Sequence, residues 1–182
     1  MKKHIFIILL KGINVGGNNK IKMSELKDVL LKNKSVTQVK TYIQSGNIII
    51  ESLMDLNEVI DYCKTSIQLH FELNIDVFAI EKSEWLIITK VHPFSVETTD
   101  HKVLHVTFFM DAWKKEDLTD LLLLKPENEH IEIKEKHWFL YYPDGYGKSK
   151  FNHALFQRKL KTSCTSRNWR TIQKITDLLE VL

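Results

Sequence analysis

The residues best suited to chemistry follow directly on an apolar run at residues 5–10. They are Lys11, Gly12, Asn14, Gly16 and Gly17, in a segment that continues to Lys20. Glycine adopts positive φ and lets a ligand approach the main chain, and lysine supplies positive charge. The segment predicts a binding site for an anion. The alternative is that it only connects a strand to a helix.

Two known phosphate-binding motifs do not account for this segment. Gly12 and Gly17 have the spacing of the P-loop glycines, but Asn18 and Asn19 stand where that motif has Lys and Ser or Thr. The run does not fit the dinucleotide pattern GxGxxG either. It indicates a place for a ligand without identifying the ligand.

A second polar segment, Tyr142–Lys150, follows a predicted strand and precedes a predicted helix. It contains Gly147, Lys148 and Ser149, without the earlier glycine that a P-loop requires. Main-chain amides at a helix N-terminus beside Lys148 would suit an anion. The alternative is that Ser149 caps the helix that it opens.

A third segment places Arg167, Asn168 and Trp169 at the predicted start of the last helix. Arginine offers a planar donor fork for phosphate or carboxylate, and tryptophan can stack on a base. The alternative is that Trp169 belongs to the core and that Arg167 binds carbonyl groups or an internal carboxylate.

The sequence assigns no catalytic residues. His101 and His105 are four positions apart in a strand pattern, where their side chains would be about 13 Å apart, and no HExxH, CxxC or GxSxG motif occurs. We expect no metal site, and no cofactor can be assigned. Cys63 and Cys164 lack metal-binding spacing and are expected to be free thiols.

The hydrophobic pattern predicts an α+β fold with two ferredoxin-like halves. Strands and helices alternate as β-α-β-β-α-β over the first eighty residues, and the same order returns after residue 100. We expect a first half at 1–81, a connecting helix and loop at 82–100, and a second half with an extra C-terminal helix at 101–182. The late predicted elements are a helix over Ser149–Leu160, a short strand over Thr162–Thr165 and a helix over Asn168–Leu182.

Charge is segregated along the chain. Residues 1–50 carry nine Lys or Arg against two acids, residues 51–143 carry nine against 18, and residues 144–182 carry eight against three. If the two basic ends met, they would form a basic face suited to an anionic partner. The alternative is that solvated helix faces differ in sign.

Five ordered blocks resemble the bacterial family catalogued as domain of unknown function 1697. The blocks are Lys11–Gly17, Thr41–Asn47, His92–Phe94, Tyr146–Lys150 and Thr165–Trp169. The resemblance spans nearly the whole chain and implies a duplicated ferredoxin-like α+β fold. The family usually has Arg in place of Lys11 and Thr in place of Ser166. Its second block adds Gln44, Ser45 and Asn47 to the expected ligand-binding residues.

The sequence is compatible with three functions. The first is a cytoplasmic protein that binds a nucleotide, a nucleic acid or a phosphorylated small molecule in a cleft lined by the glycine-rich and Arg-Asn-Trp blocks. The second is an enzyme that acts on a phosphorylated or carboxylated small molecule, with Ser45 or Tyr42 as nucleophile or acid. The third is a protein–protein adaptor. No apolar run is long enough for a membrane span, and the oligomeric state is undetermined.

Overall fold

The computed structural model describes residues 2–90, 92–94 and 100–181. They form two compact units, one of Met1–Ile88 with Ile175–Leu182 and one of Thr89–Lys174. Parts of the predicted connecting segment (91 and 95–99) and the predicted last helical residue, Leu182, lie outside the described residues.

The first unit contains one four-stranded sheet and two helices in the order β-α-β-β-α-β, followed by a third helix. The elements are β1 (His4–Leu10), α1 (Met23–Leu30), β2 (Val36–Tyr42), β3 (Asn47–Ser52), α2 (Leu56–Phe71), β4 (Val77–Glu81) and α3 (Lys82–Thr89).

The second unit repeats this order. Its elements are β5 (Leu104–Phe109), α4 (Lys115–Leu122), β6 (His130–Ile133), β7 (His137–Tyr141), a single 3₁₀ turn (Tyr146–Lys148), α5 (His153–Leu160), β8 (Cys164–Asn168) and α6 (Trp169–Glu180). The C-terminal residues of α6, from Ile175 onward, belong to the first unit.

Both sheets have the ferredoxin-like strand order. In the described residues, the first sheet runs β2-β3-β1-β4 and the second runs β6-β7-β5-β8, with every neighbouring pair antiparallel. The predicted α+β fold with duplicated βαββαβ halves is confirmed. No helix of the described ranges is long and apolar enough to cross a lipid bilayer.

The first core forms because β1 alternates its side chains between two faces. Phe6, Ile8 and Leu10 share one face and pack in a single cluster with Leu26 of α1 and Val59 of α2. The neighbouring strand residues are buried as well, so β1 reads as a continuous apolar run. In the second unit, a cluster built on Phe109, Trp138 and Phe156 plays the same part.

Two late elements differ from the prediction. The helix expected from Ser149 begins at His153, because Asn152 is its N-cap and its Oδ1 accepts from the amides of Ala154 and Leu155. The strand expected at 162–165 runs over Cys164–Asn168, where it pairs with β5. Consequently Arg167 and Asn168 lie in a strand, and the last helix begins at Trp169.

Candidate functional site

The glycine loop, residues 11–20, connects β1 to α1 in the first unit. Val15 and Asn18 close a tight turn, in which the Asn18 amide donates to the Val15 carbonyl oxygen over 3.0 Å. Its two central residues, Gly16 and Gly17, have φ of 57° and 81°. Positive φ at both positions is the geometry of a primed turn, which glycine adopts without strain.

Asn14 fixes the glycine loop in place. Its Nδ2 donates to the carbonyl oxygens of Ile21 (3.0 Å) and Gln44 (2.8 Å), and its Oδ1 accepts from the Ile21 amide at 2.9 Å. Asn14 itself has φ of 55°, a conformation that asparagine tolerates better than most residues. The predicted binding residue Asn14 therefore ties the loop to the turn at residues 43–46.

That second turn is packed closely against the loop. The Leu10 amide donates to the Gly46 carbonyl oxygen at 2.8 Å. A Cβ on Gly46 would lie 2.7 Å from Leu10 Cβ and 2.9 Å from Ile13 Cδ1, so only glycine fits. Asn47 is buried and donates to the Tyr42 carbonyl oxygen and to Ser45 Oγ. The structure thus brings the first two family blocks together.

The outer surface of the glycine loop is exposed main chain. Gly12, Gly16 and Gly17 are exposed, and a Cβ on any of them would meet no atom within 4 Å. Within the described part of the chain, no hydrogen bond reaches the amide nitrogens of these three glycines. Gln44 and Ser45 are exposed beside them. These groups are open to an approaching ligand.

The charges around the loop are partly neutralised. Lys11 Nζ lies 3.2 Å from Asp76 Oδ2, and Lys22 Nζ lies 3.0 Å from Glu25 Oε1. Lys20 is exposed and takes part in no ion pair among the described residues. The loop therefore carries a modest positive charge, concentrated at Lys20.

In the second unit, most of the predicted site residues make hydrogen bonds or packing contacts with neighbouring residues of the same unit. Ser149 Oγ accepts from the Phe151 amide at 2.9 Å, and Asn168 Oδ1 accepts from the Thr171 amide at the start of α6. Trp169 is buried, with its ring 4.7 Å from that of His92. Lys148 is exposed at the end of the 3₁₀ turn. The third and fifth family blocks meet where Trp169 packs against His92.

Arg167 is buried rather than presented to solvent. It is 8% exposed, and its Nη1 donates to Thr165 Oγ1 (2.8 Å) and to the Ser166 carbonyl oxygen (2.9 Å). Burial lowers the pKa of Arg167 to about 10, a shift that the nearby Tyr146 opposes. The guanidinium is charged at neutral pH, and its Nη1 is engaged in these contacts within β8.

A polar chain that the sequence did not indicate lies beside Arg167. Thr107 Oγ1 is 2.7 Å from Ser166 Oγ, Ser166 hydrogen-bonds to Tyr146, and Tyr146 Oη hydrogen-bonds to His153 Nδ1. Sequence reasoning quoted Tyr146 and Ser166 within family blocks but gave neither a role. No local spacing signals the chain, because its members are seven to 59 positions apart.

The described residues hold no group of three or more His, Cys, Asp or Glu arranged to bind a metal ion. Both cysteines are buried and neither forms a disulfide, and burial raises the pKa of the Cys63 thiol to about 12. The Cys63 thiol is therefore a poor nucleophile and a poor metal ligand.

The fold and the loop geometry define a class, the duplicated ferredoxin-like α+β proteins. Within that class, the chain belongs to the family described as "Protein of unknown function (DUF1697)", whose model matches residues 1–139. The matched range includes the first three blocks and ends before the last two.

One solved structure extends the likeness to the whole chain. It is that of the conserved bacterial protein SP0830 from Streptococcus pneumoniae, which is 23% identical. The match covers 98% of this chain and 99% of that chain, with a TM-score of 0.75. At that identity the likeness supports the fold alone. No curated protein matches the chain.

Proposed function

We propose that the protein binds a small anionic ligand, such as a nucleotide or another phosphorylated molecule, on the glycine loop. The observation that carries the proposal is the open main chain at Gly12, Gly16 and Gly17, whose amides have no partner among the described residues. Main-chain amides presented in a turn form a natural anion site.

The rigidity of the loop supports this proposal. The three hydrogen bonds of Asn14 and the bond from Asn19 Nδ2 to the Gly12 carbonyl oxygen (3.0 Å) fix the loop from inside. None of these contacts uses the amide nitrogens of Gly12, Gly16 and Gly17. A preorganised surface loses little conformational entropy on binding, which favours affinity.

The local charge favours a small ligand over a nucleic acid. Two of the three lysines around the loop, Lys11 and Lys22, are already paired with carboxylates, which leaves Lys20 as the main unpaired cation. Nucleic-acid binding neutralises several phosphates and depends steeply on salt. A ligand bound mainly by amides and one lysine should show a shallow salt dependence.

Charge reversal at one lysine tests the proposal. Isothermal titration with nucleotides and inorganic phosphate should show that Lys20→Glu weakens binding by about tenfold or more, equivalent to about 1.4 kcal/mol. Lys32→Glu is the matched control, since Lys32 is also exposed and makes no ion pair in the described ranges. Equal affinities of the two variants would contradict the assignment to the glycine loop.

A cytoplasmic location is part of the proposal. It is supported by two buried cysteines that form no disulfide, as expected of a protein in a reducing compartment.

A further inference from the structure

Two exposed apolar side chains lie on the two turns that meet at the candidate site. Val15 is 65% exposed on the glycine loop, and Ile43 is 49% exposed in the turn between β2 and β3. Their sequence neighbours are Asn14 and Gln44, which are joined by the 2.8 Å hydrogen bond from Asn14 Nδ2 to the Gln44 carbonyl oxygen. The two apolar side chains therefore flank the junction of the turns.

Packing of the first unit does not explain these two side chains. The core cluster of that unit includes Ile13 of the glycine loop but neither Val15 nor Ile43. An apolar side chain that stays in water adds nothing to the hydrophobic free energy of folding. A single exposed apolar residue is common on protein surfaces, so the conformation of Ile43 decides whether this pair needs an explanation.

The backbone of Ile43 is strained. Its φ is 50°, a conformation that β-branched residues rarely adopt because Cβ comes too close to the following carbonyl oxygen. The other non-glycine residues of positive φ in the described ranges are two asparagines, which tolerate it, and Glu72 and Lys161, which are the C-caps of α2 and α5. Glycine or asparagine at position 43 would form the turn with less strain. The isoleucine therefore lowers stability without filling the core, and strain of this kind often marks a ligand site.

Polar groups on the same turns lie next to the apolar pair. Gly16 and Gly17 directly follow Val15, and their amides have no partner among the described residues. The Gln44 side chain is exposed and makes no hydrogen bond within the described ranges. Its amide therefore offers a donor and an acceptor side by side.

From this arrangement we infer that the ligand of the glycine loop is a nucleoside phosphate, whose base lies on Val15 and Ile43. The inference rests on the proposed anion binding and specifies the ligand class. The faces of a base suit apolar or aromatic contacts, and its edge carries donors and acceptors that the Gln44 amide can bind. An alkyl phosphate could not use that amide, and an inorganic polyphosphate would leave both apolar side chains in water.

Isothermal titration of the full chain with inorganic triphosphate and with ATP, GTP, CTP and UTP tests the inference. Inorganic triphosphate carries at least as much negative charge as the nucleotides, so charge alone gives the nucleotides no advantage. We expect the preferred nucleotide to bind at least tenfold more tightly, a difference for which burial of about 60 Å² of apolar surface suffices. Equal affinities would overturn this inference and leave anion binding by the glycine loop intact. Binding of none of the five compounds would contradict both.

Two variants separate a binding role from a structural one. Ile43→Asn places a residue that tolerates positive φ in the turn, so it should be at least as resistant to urea as the unaltered protein, yet lose the preference for the nucleotide. Val15→Ser should lose part of the same preference, and neither change should alter the affinity for inorganic triphosphate. Leu69→Asn is the matched control, because Leu69 is also apolar and 72% exposed, on α2, and it should leave both affinities unchanged.

The contrary results are equally specific. A nucleotide preference that survives in both Ile43→Asn and Val15→Ser would overturn the inference. The same holds if these variants weaken inorganic triphosphate and the nucleotide equally, because the side chains would then act on the shape of the loop.

Removal of the Gln44 side chain tests the contact with the edge of the base. Gln44→Ala should weaken the preferred nucleotide about fivefold, the effect of one hydrogen bond, and leave inorganic triphosphate unchanged. An unchanged nucleotide affinity would contradict the placement of the base on this surface.

Discussion

Replacing Asn14 with glycine removes the side chain that ties the glycine loop to the neighbouring turn. The change deletes three hydrogen bonds, two donated by Nδ2 and one accepted by Oδ1. Each such bond contributes about 0.5–1.5 kcal/mol net. Glycine at φ of 55° relieves about 1 kcal/mol of backbone strain. With each of the three bonds at about 1 kcal/mol, the free energy of unfolding should fall by about 2 kcal/mol.

Urea denaturation followed by circular dichroism measures this loss. Asn18→Gly is the matched control, because Asn18 is an exposed asparagine of the same loop whose side chain makes no hydrogen bond among the described residues. The control should lose less than about 1 kcal/mol, the usual cost of added backbone freedom. If Asn14→Gly lost no more stability than Asn18→Gly, Asn14 would not be what fixes the loop.

Three other properties follow from the same contacts. Gly46→Ala should lower the free energy of unfolding by about 1–3 kcal/mol more than Gly12→Ala does in urea titrations, since both have positive φ but only Gly46 lacks room for a Cβ; equal losses would disprove the packing argument. The unfolded chain should protonate His105 near pH 6.5 and the folded chain only near pH 4, so stability should fall by up to about 3 kcal/mol as pH drops between these values. His105→Phe should make that dependence shallower and leave the part due to His92, whose pKa burial also lowers to about 4; an unchanged slope would contradict the prediction. Cys63, buried with its pKa raised to about 12, should react with a thiol reagent only after unfolding, so rapid reaction in native buffer would show the burial to be wrong.

The early elements could be predicted because their signals are local. β1 (His4–Leu10) lies on the first apolar run, and α3 (Lys82–Thr89) lies where the sequence predicts a connecting helix. Apolar runs, alternation and helical spacing act over a few residues and need no knowledge of the tertiary partner. The duplicated order of strands and helices follows from the same signals.

The predicted bounds of α5 and β8 were wrong because the local sequence in that region is compatible with more than one position for each element. Ser149 and Asn152 are both good N-caps, and only the structure shows that the Asn152 side chain accepts from two helix amides. The position of β8 depends on its pairing with β5, in which Arg167 lies opposite Val106. This pairing depends on tertiary structure, so the sequence pattern of Thr162–Asn168 alone does not predict where β8 begins and ends.

In the candidate sites, too, local features could be predicted from the sequence and long-range contacts could not. The glycine loop was evident from composition, and the family resemblance added Gln44, Ser45 and Asn47 to the expected binding residues. The bond from Asn14 to Gln44 and the contact of Tyr146 with Ser166 join residues 30 and 20 positions apart. Contacts of this kind arise from folding. Only the structure therefore shows that Asn14 holds the loop in place while the glycines form its exposed surface.

The most direct test of anion binding is a nuclear magnetic resonance titration of the ¹⁵N-labelled protein with a nucleoside triphosphate, with inorganic phosphate in parallel. The account predicts that the amide resonances of Gly12, Gly16 and Gly17 shift progressively to saturation, while that of Gly147, in the other unit, stays in place. Shifts confined to residues outside the glycine loop, or no shifts at millimolar ligand, would contradict the central claim.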